Sequence, residues 1–248
     1  MPSPLAPLSR TVGSLLDRAR GHFERARPRS GAVAVGLVLL VTVSTVVGIV
    51  ALGAAFDATI DREVTVDNPD RPPEATCESF GDDDSPIGER CDRPKRVDVD
   101  VGEELRSATG DYVAYGLFGV PIWWVTFALV LHGGARLAGG SGSVSDSFVI
   151  AAWAILPEIV RLGAGVAAVW YALSTTAVDG ATIGAIANEI VAAIGAMQTP
   201  LLAASAVVIA VQWVIVTGGM EAAHDLDRGT AGTVAGAFAV LGFLLAAV

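Results

Sequence analysis

Two ionisable side chains interrupt an apolar stretch of the chain, and their types and spacing could carry chemistry. Glu158 and Arg161 are the only charged residues in the run 148–173. At about 1.5 Å per helical residue, Glu158 would lie roughly 15 Å from the start of this run, near the middle of a bilayer. Residues three apart share one side of a helix, so the two can pair.

This pair has two interpretations. One is a proton or ion relay, or a substrate site, for which a bend at Pro157 would be useful. The other is a self-neutralising pair that fixes the helix within a bundle. We favour the second, because pairing removes much of the cost of placing charges in hydrocarbon without requiring any function.

Cys77 and Cys91 are the only cysteines of the chain and lie in one acidic segment. A disulfide between them is expected if that segment faces an oxidising compartment. The rival interpretation is a two-thiolate metal site. The segment contains no histidine and no second cysteine pair to complete such a site, so we favour the disulfide.

Other polar residues point to no catalytic centre. His132 and His224 are expected to lie at the ends of membrane spans, and Asp82 to Asp84 are expected to form a solvated acidic face. The sequence has no phosphate-binding loop, zinc-protease motif, nucleophile elbow or dinucleotide fingerprint. We therefore expect no enzyme activity, no cofactor and no metal.

The composition is that of a membrane protein. Of the 248 residues, 52% are hydrophobic and 17% charged, whereas soluble domains carry about 25% charged residues. A net charge of −10 argues against nucleic acid as a partner. The excess of acidic residues beside a single lysine, Lys95, is typical of proteins from high-salt environments and predicts a halophilic source.

Apolar runs of about 20 residues are long enough to cross a bilayer, and the chain has five of them. The sequence thus predicts an all-α integral membrane protein, with spans over 31–55, 112–131, 148–173, 200–219 and 230–248. The segment 181–198 is apolar but contains Asn188 and Glu189. We interpret it as an interfacial helix, with a short sixth span as the alternative.

Basic residues set the predicted orientation. The first 30 residues contain six arginines, which favours a cytoplasmic N-terminus. Alternation of five spans then places the C-terminus and the acidic loop 56–111 outside. The membrane would be the cell membrane.

Two segments outside the spans have regular patterns. Apolar residues in 1–30 recur with helical spacing, which predicts a basic amphipathic arm that lies on the inner membrane face or in a partner's groove. In the loop 56–111, residues 63–67 and 96–101 alternate between apolar and polar. They are predicted to pair as a small β-ribbon beside the two cysteines.

The region 112–248 contains motifs of a known family. His132, Arg136, Gly139 and Gly140, followed by Pro157 in the next span, resemble the Yip family of Ypt/Rab-interacting, five-span membrane proteins, in the pattern of its prokaryotic members. The resemblance implies an all-helical five-span fold. The eukaryotic Asp-Leu-Tyr-Gly-Pro signature is missing, so a Rab role is not implied, and the loop 56–111 has no recognised counterpart.

The function favoured by these observations is that of a membrane scaffold or adaptor, which organises proteins or lipid without catalysis. Its expected partners are the lipid bilayer and a membrane or cytoplasmic protein, and a homo-oligomer is left open. The alternative is a transporter or export-complex subunit that uses Glu158 and Arg161.

Overall fold

A computed structural model describes residues 6–26, 30–80 and 85–247, and most of them are helical. In chain order the elements are α1 (Ala6–Ala26), α2 (Ser30–Thr59), β1 (Glu63–Asp67), α3 (Glu74–Phe80), α4 (Pro86–Cys91), β2 (Arg96–Asp100), α5 (Val101–Gly110), α6 (Val113–Leu137), α7 (Val144–Ile155), α8 (Glu158–Thr175), α9 (Ile183–Gly195), α10 (Gln198–His224) and α11 (Arg228–Ala247).

The protein is an all-α membrane protein. In the described part of the chain, four helical stretches are long and apolar enough to cross a membrane: Gly31–Thr59, Val101–Leu137, Val144–Thr175 and Gln198–His224. Two shorter apolar helices accompany them, α9 and the stretch Arg228–Leu244 of α11. The spanning helices carry large apolar side chains on their outer surfaces, as lipid contact requires.

The helices extend beyond the predicted spans. Helix α6 continues six residues past the predicted boundary at 131, to Leu137, so the motif that begins at His132 is partly helical rather than a loop. The predicted loop 56–111 likewise ends in a helix, α5, which packs on α2. Gly102 permits this contact, because a Cβ there would lie 2.5 Å from the backbone oxygen of Ile60.

The run 148–173 forms two helices rather than one bent helix. Helix α7 ends at Ile155 and α8 begins at Glu158, with Pro157 as its N-cap. Proline has no N–H to donate and clashes with the preceding helical turn, which accounts for the break at this point. The backbone N–H groups of Ile159 and Val160 donate to carbonyls three residues earlier and close the turn.

Polar caps set the helix ends where chain segments turn. Ser143 and Asp146 form a capping box at the start of α7. At the end of α10, Asp225 adopts a left-handed conformation with φ 56°. Asp227 then caps α11, and hydrogen bonds from the Thr230 hydroxyl and backbone N–H lower the pKa of its carboxyl.

Two apolar cores hold the helices together. The larger is centred on Leu131, Ile150 and Met220, and joins α2, α6, α7, α10 and α11. The smaller contains Ile60 and Ile186, and joins the end of α2 to α8 and α9. Helix α9 is therefore held against the ends of longer helices. Its 13 residues rise about 20 Å, which is less than a bilayer core.

Residues 63–80 and 85–100 form a small unit that we call the disulfide knob. Strands β1 and β2 pair antiparallel, with Glu63 opposite Asp100 and Asp67 opposite Arg96. They comprise the two segments in which the sequence alternates between apolar and polar residues. Cys77 and Cys91 are bonded between α3 and α4, which confirms the predicted disulfide. The acidic run Asp82 to Asp84 lies outside the described residues.

Removing this disulfide should loosen the knob without affecting the membrane helices. In the chain-entropy account, a disulfide that closes a loop of this size stabilises the folded state by about 3 kcal/mol. The knob has little apolar core that could compensate for the loss of the disulfide. We expect C77S/C91S to increase amide hydrogen exchange in β1 and β2 by at least tenfold, while exchange in α6 and α10 stays unchanged. Equal protection of β1 and β2 in both proteins would contradict this expectation.

Candidate functional site

The break between α7 and α8 carries a cluster of three polar side chains within the spans, which we call the break-point cluster. A carboxylate oxygen of Glu158 lies 2.6 Å from Nη2 of Arg161. Gln212, on α10, donates from Nε2 to Oε1 of Glu158 over 2.8 Å. The two oxygens of Glu158 are thus bound to separate partners.

The structure brings Glu158 and Arg161 together and adds Gln212 as a third member of the cluster. The pair Glu158 and Arg161 is internally neutral, and Gln212 ties it to a neighbouring helix. Gln212 was not among the predicted site residues, although a lone amide in the apolar run 200–219 indicates a need for a polar partner. The cluster links α8 to α10 at the point where proline has interrupted the helix.

A second polar group, the histidine corner, consists of His132, Ser147 and His224. The Ser147 hydroxyl lies 2.9 Å from Nε2 of His224 and 3.4 Å from Nδ1 of His132. Ser147 and His224 have no exposed surface. The two histidines were expected as separate caps at span ends, but the structure brings them together around one serine and joins α6, α7 and α10.

The glycines of the family-like motif shape the chain beside this corner. Gly139 has φ 84°, a conformation that favours glycine. The N–H of Gly140 donates to the carbonyl of Ala135 over 2.8 Å, and Arg136 donates from Nη1 to the carbonyl of Gly140. Just beyond the motif, a Cβ at Gly142 would lie 2.3 Å from the backbone oxygen of Ala223. The motif and Gly142 therefore form a tight turn that places the α6–α7 loop on the end of α10.

Helix α1, the described part of the basic arm, packs against α10. Leu16 and Phe23 are 4% and 6% exposed, so part of the apolar face expected for a membrane surface or a partner's groove is covered by the same chain. Gly218 makes the contact close, because a Cβ there would lie 2.7 Å from Cβ of Ala19. The spacing that predicted an amphipathic helix does not reveal which surface covers it.

Three charged residues, Asp17, Glu221 and Arg228, connect the arm to α10 and α11 in a contact that we call the arm latch. Arg228 donates from Nε to Glu221 over 2.7 Å and from Nη2 to Asp17 over 2.6 Å. The Glu221 side chain is 3% exposed. One arginine at the start of α11 thus joins the arm to α10.

Glu221→Ala should weaken the latch. Loss of a charge-assisted hydrogen bond to a buried carboxylate costs about 2 kcal/mol, and Arg228 would keep only Asp17. The matched control is Glu24→Gln, which removes an exposed pair with Arg20 and should cost less than about 0.5 kcal/mol. Thermal unfolding in mild detergent compares them, and equal stability of the two variants would contradict the assignment.

Among the described residues, no group of three or more His, Cys, Asp or Glu side chains is arranged to hold a metal ion. The three polar groups instead connect elements: the break-point cluster joins α8 to α10, the histidine corner joins α6, α7 and α10, and the arm latch joins α1 to α10 and α11. All three converge on α10.

Comparison with known proteins identifies a family. The family model described as the Yip1 domain matches residues 12–248. The match starts within α1 and includes the acidic segment for which no counterpart was recognised from the sequence. No curated protein and no solved structure matches the chain.

Proposed function

The chain belongs to the Yip1 domain family, which residues 12–248 match, and from that membership we propose a non-catalytic membrane scaffold or adaptor that organises proteins or lipid. Membership confirms the resemblance to the Yip family. It also makes the chain a multi-pass membrane protein. The scaffold role and the absence of catalysis are our proposal.

One observation carries this proposal: several polar side chains within the apolar helices connect one helix to another. Glu158 binds Arg161 and Gln212, and Ser147 lies at hydrogen-bond distance from His224. Side chains used in this way stabilise a fixed arrangement of helices. Such a protein would bind other proteins or lipid mainly through its outer surface.

A transporter has no comparable support. It would need Glu158 or Arg161 to exchange partners during a cycle, whereas these side chains bind each other at a helix break. We therefore do not carry the transporter alternative forward.

We further propose five spans in the cell membrane, with the N-terminus inside and the C-terminus outside. Helices α2, α6, α7–α8, α10 and α11 would be the spans, and α9 an interfacial helix. This orientation places the disulfide knob outside, where a disulfide persists, and places the arm and the arm latch inside. Arg136 near the end of α6 and Arg228 at the start of α11 would then lie on the inner side, in line with the positive-inside rule.

Cross-linking in native membranes tests the scaffold role. The membranes are kept at native salt, the tagged full chain is purified in mild detergent, and co-purifying proteins are quantified by mass spectrometry. We expect at least one other protein at a constant molar ratio to the chain. Recovery of the chain alone, or only as a homo-oligomer, would overturn the adaptor proposal.

A further inference from the structure

An apolar groove of about 550 Å³ lies between the arm, the α7–α8 break and α10. Its walls include Phe23 from the arm, Trp153 and Pro157 from the break, and Val211 from α10. His22 is the one polar side chain among the lining residues. The groove is therefore suited to a hydrocarbon chain with a polar end.

The groove opens towards the surface of the membrane helices. Val160 and Val207, which line it, are 67% and 65% exposed. Both belong to helical stretches long and apolar enough to span a membrane, so hydrocarbon is the surrounding medium at this opening. A lipid chain can enter sideways without crossing water.

Positive charge flanks the groove along the arm. Arg18 precedes His22 by four residues and Arg25 follows it by three, so all three share one side of α1. Arg18 and Arg25 are exposed and have no ion-pair partner among the described residues, whereas Arg20 on the other flank is paired with Glu24. The Arg25 guanidinium folds back over Gly21, and its Nη1 would lie 3.2 Å from a Cβ there.

His22 supplies a polar atom that needs a partner. Its ring packs against Trp153, with 4.5 Å between the ring centroids. Its Nε2 is buried and has no hydrogen-bond partner in the described part of the chain. A buried polar atom without a partner is costly, so a small rotation of the ring that brings Nε2 to a headgroup oxygen at the edge of the groove would be favourable.

We propose that this groove binds one anionic phospholipid, with an acyl chain between the arm and α10 and the phosphate beside Arg18, His22 and Arg25. The apolar walls take the acyl chain, and Arg18 and Arg25 select the negative headgroup. The inference rests on the proposed orientation, which places the arm at the inner membrane face. It goes beyond the scaffold role, because it assigns a bound ligand and the residues that select it.

Native mass spectrometry of the full chain in mild detergent tests the proposal. The probes are phosphatidylglycerol and phosphatidylcholine with identical acyl chains, added in equal amounts. An arginine near a membrane surface contributes about 1 kcal/mol towards anionic lipid, which is about fivefold in affinity. We expect phosphatidylglycerol to be retained at least tenfold better, with R18Q and R25Q each reducing that preference about fivefold.

Two control variants, R20Q and V125W, distinguish binding at this site from a general effect of charge or of an added large side chain on lipid retention. R20Q removes one charge from the opposite flank of the same helix and should leave the preference unchanged. V211W fills the groove and should abolish lipid retention. V125W places tryptophan at a similarly exposed position on α6, outside the groove, and should retain the lipid; melting curves verify that each variant folds.

The proposal is overturned if R18Q/R25Q keeps the preference of the wild-type protein, or if V211W retains lipid while folded. A dimer or a co-purified protein that V211W removes would assign the groove to that occupant instead and would also overturn it. Partner recovery from native membranes is measured separately. If partner proteins are recovered but the chain shows no preference for phosphatidylglycerol, only this inference fails. The proposed scaffold role then stands.

Discussion

Gly218→Leu is expected to detach the arm from the membrane helices and to lower the free energy of unfolding by about 3–5 kcal/mol. A Cβ at Gly218 would lie 2.8 Å from the backbone nitrogen of Arg20 and 3.0 Å from the backbone carbonyl carbon of Ala19. A backbone cannot rotate away as a side chain can, so α1 as a whole would have to move. Its displacement would expose Leu16 and Phe23, each worth about 1.5–3 kcal/mol when buried.

Limited proteolysis measures this detachment. Trypsin cleaves after the arginines of the arm, and we expect faster cleavage in Gly218→Leu than in the wild-type protein. The matched control is Gly119→Leu, because a Cβ at Gly119 has no atom within 4 Å. Equal cleavage rates and melting temperatures for the two variants would show that the arm is not held by this contact.

Arg161→Met is expected to destabilise the protein by about 3 kcal/mol, whereas E158Q/R161M should cost less than about 1 kcal/mol. The single substitution leaves the Glu158 carboxylate within the apolar helices with only Gln212 as partner, and a lone charge in a span costs about 2.5–3.5 kcal/mol. The double substitution removes both charges and keeps a side-chain oxygen that can accept from Gln212. Neutral replacement of an ion pair is commonly tolerated for this reason.

A double-mutant cycle by unfolding in detergent measures this difference. Glu158→Gln completes the cycle and leaves Arg161 without its anion, so it should also cost more than the double variant. If the double variant is as unstable as the sum of the two single variants, the pair does not act as a self-neutralising unit.

Local patterns predicted the parts of the fold that depend on neighbours in sequence. The charge-free run from Ser30 to Phe56 forms α2, because only a helix satisfies its backbone in hydrocarbon. Glu158 and Arg161 pair because a helix places residues three apart on one side. The disulfide follows from two cysteines in one short segment.

Contacts between distant segments could not be predicted in the same way. Gln212 meets Glu158 across 54 residues, and Ser147 meets His224 across 77. No periodicity specifies such pairs. The arm shows the same limit, because an amphipathic pattern predicts a helix and its apolar face but not whether lipid, another protein or α10 covers that face.

The break at Pro157 was recognised only in part. The proline indicated a bend. Whether the run divides into two helices depends on which side chains bind the residues at the break. Gln212 and Arg161 bind Glu158 at the first residue of α8. Helix α5 was missed because its many polar residues hide the close contact with α2 at Gly102.

The most direct test of a purely structural role for the break-point cluster is the recovery of co-purifying protein by the E158Q/R161M variant. Wild-type and variant chains are purified from native membranes after cross-linking, at matched amounts of folded protein. If the break-point cluster only holds helices together, the variant should recover the same proteins at the same molar ratio. A variant that melts like the wild-type protein but loses them would contradict the account, because the pair would then act in function and not in structure alone.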